Sequence, residues 1–204
     1  MRIVILCNEN YAVYMKSLSS SINWITTNHI NEWMDIDNVD GYFNLNENAW
    51  NENYSHIKKP VFINAVSNTL KESNQHENVV RMNGWNGFIQ RNVWEVAGNI
   101  SQQHIDMLNA INKSFTITPD EPGFIAPRIL SMIINEAYFA KEQNVSTETE
   151  IDTAMKLGTN YPKGPFEWKE EIGISNIFML LDNLSKSDSR YKPSQLLVTE
   201  ATSL

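Results

Sequence analysis

The stretch Asp120-Glu121-Pro122-Gly123 divides this sequence into two textures, and the reading of the fold turns on that division. Upstream of it, short apolar runs rich in β-branched residues alternate with polar segments. Strands are expected at Arg2–Cys7, Ile22–Thr27, Gly41–Asn46, Val61–Val66, Val79–Met82 and Phe115–Thr118, several of them bounded by Gly, Asn or Pro. Helices are expected between them at Ala12–Ser19, His29–Met34, Asn48–His56 and Gln102–Asn112. Strand–helix–strand alternation points to a mostly parallel sheet with helices on its faces. The intervening segments are short for full crossovers, so this domain is expected to be compact.

Downstream the pattern is helical. Within an expected helix Ile125–Ala140, the residues Ile129, Leu130, Ile133, Ile134, Ala137 and Tyr138 recur at spacings of one, three and four. That stripe is wider than a lone surface helix needs, which places the helix centrally or at an interface. Thr147-Glu148-Thr149-Glu150 fits a capping box, and the helix it opens is expected to stop at Gly158. Pro165 suits the first position of a further helix ending near Gly173, and another is expected over Ser175–Leu184. The fold class is therefore α/β plus all-α, with domains at 1–120 and 121–204.

Composition narrows the function. A chain of 204 residues can bury a sizeable core, and its single Cys excludes an internal disulfide framework. No run of about 18 apolar residues occurs, so no membrane span is expected. A formal net charge of −8 argues against a general binder of nucleic-acid phosphates. Asn makes up roughly one residue in six of the first ~110, a thermolabile composition foreign to hyperthermophiles. The opening run Met1–Leu6 lacks the length and cleavage site of a signal peptide and reads as a buried strand, so a cytoplasmic location is expected.

Four ordered motifs carry a family resemblance. Pro122-Gly123-Phe124-Ile125-Ala126-Pro127-Arg128, Glu150–Gly158, Tyr161-Pro162-Lys163-Gly164-Pro165-Phe166-Glu167 and Tyr191-Lys192-Pro193-Ser194 resemble the C-terminal domain of 3-hydroxyacyl-CoA dehydrogenases. Upstream, Phe62–Thr69, Val80–Gly87 and Val93–Val96 are similar to the strands and turns beside that family's active site. The resemblance implies a truncated Rossmann-like nucleotide domain over 1–120, with large deletions before residue 60, followed by a helical dimerisation domain. It also implies fatty-acid or acyl-CoA metabolism, a homodimer and an acyl-CoA ligand.

The family oxidises a 3-hydroxyacyl thioester with NAD, using a His as general base and a Glu that orients it. The position matching that His is Asn83, whose amide cannot hold a proton, and Glu95 matches the orienting carboxylate. Glu95 reads equally as a surface or edge carboxylate. Ser67 matches the substrate-binding Ser, with Asn68 and Thr69 keeping its turn, although Ser-Asn-Thr also simply ends strands. Pro127 stands where the family places a substrate-binding Asn, and it offers no donor.

A dinucleotide site needs glycines after its first strand, and here Cys7-Asn8-Glu9-Asn10-Tyr11 follows instead. Glu32 and Asp35 match the ribose-binding acid by spacing alone. No bound cofactor is therefore expected, and the protein is read as a pseudoenzyme serving as an acyl-CoA-binding or interaction partner. The alternative is an active NAD-dependent enzyme with non-standard cofactor contacts. His29, His56, His76 and His104 are scattered without metal-ligand spacing. Cys7 reads as a buried small side chain before a nucleophile, and Trp85 and Trp94 as core before cavity lining.

Overall fold

A computed structural model describes residues 1–73 and 76–203. The chain divides into two compact units, Met1–Phe124 and Ile125–Leu204.

The first unit is built on seven strands: β1 (Arg2–Leu6), β2 (Asn23–Thr27), β3 (Gly41–Asn44), β4 (Val61–Asn64), β5 (Val79–Met82), β6 (Val93–Gly98) and β7 (Ser114–Ile117). They form one sheet in the order β2-β1-β3-β4-β5-β6-β7. All neighbours are parallel except β5 and β6, which run antiparallel. The helices of this unit are α1 (Glu9–Leu18), α2 (Leu70–Ser73) and α3 (Gln102–Ala110).

The apolar runs are continuous because both faces of the central strands are covered, as parallel sheets require. Ile3, Ile5, Phe43, Phe62 and Val80 point to one face and meet Ala12 and Met15 of α1 and Met107 and Leu108 of α3. Val4, Leu6, Tyr42, Val61 and Ile63 point to the other and meet Trp33, Ala49 and Tyr54. On that second face the chain economises. The helices expected at His29–Met34 and Asn48–His56 are only 3-10 turns, Ile30–Asp35 and Ala49–Asn51. Aromatic side chains supply the cover instead: Trp33 stacks on Tyr42 with ring centroids 4.5 Å apart.

The second unit is all-α: α4 (Ala126–Glu142), α5 (Glu148–Thr159), α6 (Pro165–Ile172), α7 (Ile174–Ser185) and α8 (Gln195–Thr202). In α4, Ile134, Ala137 and Tyr138 are buried, while Ile129 remains 58% exposed. The capping box of α5 forms, with Thr147 Oγ1 accepting the Glu150 N–H and the Glu150 carboxylate accepting the Thr147 N–H. That helix runs past Gly158 and ends where Asn160 takes the left-handed conformation, at φ 55°. Asn is the second choice for that conformation, after Gly, so either residue type satisfies the helix end. Pro165 opens α6, and Gly173, at φ 90°, closes it.

The motifs of this unit are hydrogen-bond devices. Asp152 Oδ1 and Oδ2 accept the N–H groups of Phe166 and Glu167 at 2.8 and 3.1 Å, capping α6 from a neighbouring helix. A Cβ on Gly164 would lie 2.3 Å from that carboxylate, which is why Gly precedes Pro165. Asn135 of α4 donates to the Lys192 carbonyl and accepts the Ser194 N–H, and Ser194 in turn caps α8. The Lys-Pro-Ser turn is thus anchored from both sides.

Candidate functional site

The carboxyl ends of β1, β3, β4 and β5 lie along one edge of the sheet, the edge where ligands bind in open α/β folds. Asn44 and Asn64 end β3 and β4, and Asn83 follows β5; all three are buried, at 1%, 6% and 3% exposure. Buried amides need partners, and these find them in the loops. Asn44 Nδ2 donates to the Tyr54 hydroxyl at 2.8 Å, and its Oδ1 accepts the Asn46 N–H at 3.2 Å. Asn64 accepts the Gly84 N–H at 3.1 Å and donates to the Leu45 carbonyl at 3.5 Å.

Asn83 and Glu95 are brought together. β5 and β6 pair antiparallel, the Asn83 N–H donates to the Glu95 carbonyl, and Asn83 Nδ2 donates to Glu95 Oε2 at 3.0 Å. The carboxylate accepts, so Asn83 must present its NH2 group to it, and Oδ1 is left without a partner. This pair holds a carboxylate in place through an amide, which cannot take up a proton near neutral pH as an imidazole can.

Ser67, Asn68 and Thr69 follow β4 in a turn held by an arginine that sequence reading passes over. Arg81 of β5 is fully buried, and its guanidinium donates to the carbonyls of Ala65 and Asn68 at 3.0 and 2.9 Å. The same group bonds Asp120 Oδ1 at 2.6 Å, donates to the Glu121 carbonyl and stacks over the Phe124 ring at 4.3 Å. Burial pulls its pKa down, and Asp120 opposes that. The only signal in the sequence is an Arg inside an apolar strand, and its partner lies 39 residues away. Pro127 belongs to the other unit, buried in the first turn of α4.

At the β1–α1 turn the geometry is self-satisfied. Asn8 caps α1 by accepting the Tyr11 N–H at 3.0 Å, and Glu9 places a carboxylate in the first turn. The Tyr11 hydroxyl donates to the Gly84 carbonyl at 3.1 Å, and burial pushes its pKa up to about 12. A pyrophosphate bound here would meet a negative charge and a helix N–H already taken, so these residues do not fit a dinucleotide. Glu32 accepts the N–H groups of Asn28 and His29, capping its own 3-10 turn. Cys7 is half-buried, and burial raises its thiol to about 11, which disfavours the thiolate at neutral pH.

Trp85 and Trp94 are core side chains, at 4% and 1% exposure. Among the described residues no three His, Cys, Asp or Glu side chains gather as a metal site. No helix among them is long and apolar enough to cross a membrane.

Residues 123–202 match the family model of the 3-hydroxyacyl-CoA dehydrogenase C-terminal domain. Residues 123–202 are thus a domain of the 3-hydroxyacyl-CoA dehydrogenase C-terminal type. Over 80 residues, 38% of the chain, it is 46% identical to a 3-hydroxyadipyl-CoA dehydrogenase of Escherichia coli K12, matching 17% of that protein. Over 90 residues, 43% of the chain, it is 38% identical to a 3-hydroxybutyryl-CoA dehydrogenase of Bradyrhizobium diazoefficiens, matching 31% of it. The matches thus span less than a third of either relative's length.

Solved structures extend the likeness to the sheet unit at the level of fold. The (S)-3-hydroxybutyryl-CoA dehydrogenase of Ralstonia eutropha superposes with a TM-score of 0.70 at 20% identity, over 90% of this chain and 71% of that one. FadB2 of M. tuberculosis does so at 0.75 and 14% identity, over 98% and 85%. Both carry the Rossmann-like architecture followed by helices, as this chain does.

Proposed function

We propose that this protein is a catalytically impaired 3-hydroxyacyl-CoA dehydrogenase relative that binds acyl-CoA or a protein partner as a cytoplasmic homodimer in fatty-acid metabolism. The observation that carries this reading is the Asn83–Glu95 hydrogen bond. An amide in place of the base keeps the carboxylate's partner and loses proton transfer, which in general acid–base catalysis is worth roughly 10²–10⁴-fold. Against NAD stand the capped turn at Asn8, the Glu9 charge and the Tyr11–Gly84 contact. In favour of a thioester ligand stands the Ser67 turn, held rigidly by Arg81. In favour of a homodimer stand Ile125 and Ile129, exposed at 50% and 58% on the helical unit.

The test mixes the purified protein with NADH and a 3-ketoacyl-CoA and follows absorbance. No turnover is expected, while calorimetry is expected to show heat with acyl-CoA and none with NADH. Turnover abolished by Glu95→Gln would instead establish an active enzyme with unusual cofactor contacts. A monomer mass by light scattering at micromolar concentration would remove the homodimer.

A further inference from the structure

Asn is followed by Gly twice in this sequence, at Asn83-Gly84 and at Asn86-Gly87. Such a pair carries its own chemistry. The backbone nitrogen of the second residue can attack the side-chain amide of the first, and Gly brings no side chain to obstruct the approach. This reaction is one reason Asn counts as thermolabile. Both pairs lie on the connection from β5 to β6, and the fold treats them oppositely.

Asn83-Gly84 is shut. Both residues are buried away from the water that the reaction consumes. The Asn83 amide donates to Glu95, and the Gly84 N–H is shared between Asn64 Oδ1 and the Met82 carbonyl, both at 3.1 Å. A Cβ on Gly84 would lie 2.8 Å from the Asn64 amide, so Gly serves close packing there. Asn86-Gly87 is open: Asn86 is exposed, in a turn where Gly87 takes a φ of 81°. One side chain touches both reacting groups. Gln90 Oε1 accepts the Gly87 N–H at 2.9 Å, and Gln90 Nε2 donates to Asn86 Oδ1 at 3.3 Å. An acceptor on a neutral N–H opposes its deprotonation, and the second bond fixes the Asn86 amide.

We propose that Asn86 is a self-modifying residue, converted by solvent water to aspartate and isoaspartate, with Gln90 as the clamp that sets its rate. The Gly87 nitrogen gives its proton to solvent and attacks Asn86 Cγ. The new C–N bond closes a five-membered imide as the Cγ–Nδ2 bond breaks, and Nδ2 leaves as ammonia with a proton from solvent. Water then opens the imide at either carbonyl, to aspartate or to isoaspartate, and nothing is oxidised or reduced. The turn itself is pinned independently of Gln90. The N–H groups of Phe88 and Ile89 donate to the Trp85 carbonyl at 3.0 and 3.1 Å, and the Trp94 indole and Lys113 ammonium donate to the Ile89 carbonyl at 2.9 and 3.3 Å. Neither Asn86 nor Gln90 belongs to the Ser67 turn or to the Asn83–Glu95 pair, so this chemistry stands apart from the proposed function.

The experiment ages the full chain for several weeks at mildly alkaline pH and reads the tryptic peptide Met82–Arg91 by tandem mass spectrometry, with fresh protein as the baseline. A gain of one mass unit is expected at Asn86, with Asn83 unchanged. In concentrated urea the two pairs are expected to convert at comparable rates, because the fold alone distinguishes them. Gln90→Ala is expected to speed conversion at Asn86 about fivefold, the worth of the exposed hydrogen bonds it removes, while Asn83 stays intact. Asn83 thereby reports whether the variant has merely loosened the chain. The proposal is overturned if Asn86 stays intact in the native protein, or if Asn83 converts alongside it in either the native protein or the variant. It is equally overturned if Asn83 lags in urea as well, or if Gln90→Ala leaves the Asn86 rate unchanged.

Discussion

Replacing Arg81 with Met removes one side chain but unties three segments at once. The guanidinium bonds the carbonyls of Ala65 and Asn68, the Asp120 carboxylate and the Glu121 carbonyl. Met keeps much of the volume and none of the donors, so several carbonyls in a dry region lose their partner. Breaking a buried pair by removing one member costs about 3–5 kcal/mol. Asp120 is 26% exposed and keeps the N–H groups of Leu70 and Lys71, which places the loss near the lower figure, about 3 kcal/mol. Against a typical domain stability of about 5–15 kcal/mol this is a large fraction. Urea unfolding followed by tryptophan fluorescence is the assay, and five of the six Trp residues (24, 33, 50, 85 and 94) lie in the sheet unit. Arg81→Met combined with Asp120→Asn is expected to recover about 1 kcal/mol of the loss, since no uncompensated charge remains. A loss below about 1 kcal/mol for Arg81→Met alone would refute the clamp, because it would mean that water or local movement satisfies those carbonyls.

In the helical unit, Asp152→Ala is expected to destabilise by about 1–2 kcal/mol through the lost cap on α6, read by thermal unfolding; an unchanged midpoint would reassign the residue. His104 is buried with Nδ1 accepting from Ser101 and Nε2 donating to the Asn78 carbonyl, so it is held neutral and its pKa is lowered by burial. The unfolded chain then binds the proton first. Stability should be full above the ordinary value of 6.5 and fall as pH drops below it, by at most about 1.4 kcal/mol per pH unit. His104→Gln should remove that acid slope, and a mutant with the wild-type slope would place its origin elsewhere. Asn83→His is expected to show no NADH oxidation with a 3-ketoacyl-CoA, because the β1–α1 turn is unchanged; turnover would show that the turn admits the cofactor after all.

What could be read from the sequence was local. The run Ile3–Leu6 is continuous and apolar because it is covered on both faces, and the Thr147–Glu150 box is complete within four residues. What could not be read depends on distant partners. Arg81 looks like an outward-facing residue in Val79-Val80-Arg81-Met82 until Asp120 is brought beside it. The sequence expectation has no strand at β6, although Val93, Trp94 and Val96 carry the residue types; its antiparallel pairing with β5 is a tertiary fact. The helix expected over Asn48–His56 shrinks to the 3-10 turn Ala49–Asn51, and the one expected over His29–Met34 forms as a six-residue 3-10 helix, Ile30–Asp35, because burying Trp33 and Tyr54 covers that face without a longer helix. The site was legible as positions and illegible as geometry: Asn83 and Glu95 stand twelve residues apart and meet only across β5 and β6.

The surplus of Asn has a physical reading at the sheet edge. Asn44, Asn64 and Asn83 stand at or just past the ends of the adjacent strands β3, β4 and β5, and all three are buried. An amide can donate and accept at once, so one Asn can tie a strand end to a loop where an apolar residue would leave backbone groups unpaired. At position 83 the same property lets an amide serve the fold by donating to Glu95. Glu95 needs a donor to remain stable at a half-buried edge, and an amide supplies one as an imidazole does. Structural need and catalytic need are therefore separable at this position. A leucine at position 83 would leave the Glu95 carboxylate without this donor and should cost about 1–3 kcal/mol, whereas His should be tolerated. Comparable urea midpoints for Asn83→Leu and Asn83→His would show that Glu95 does not depend on position 83, and the separation would fail.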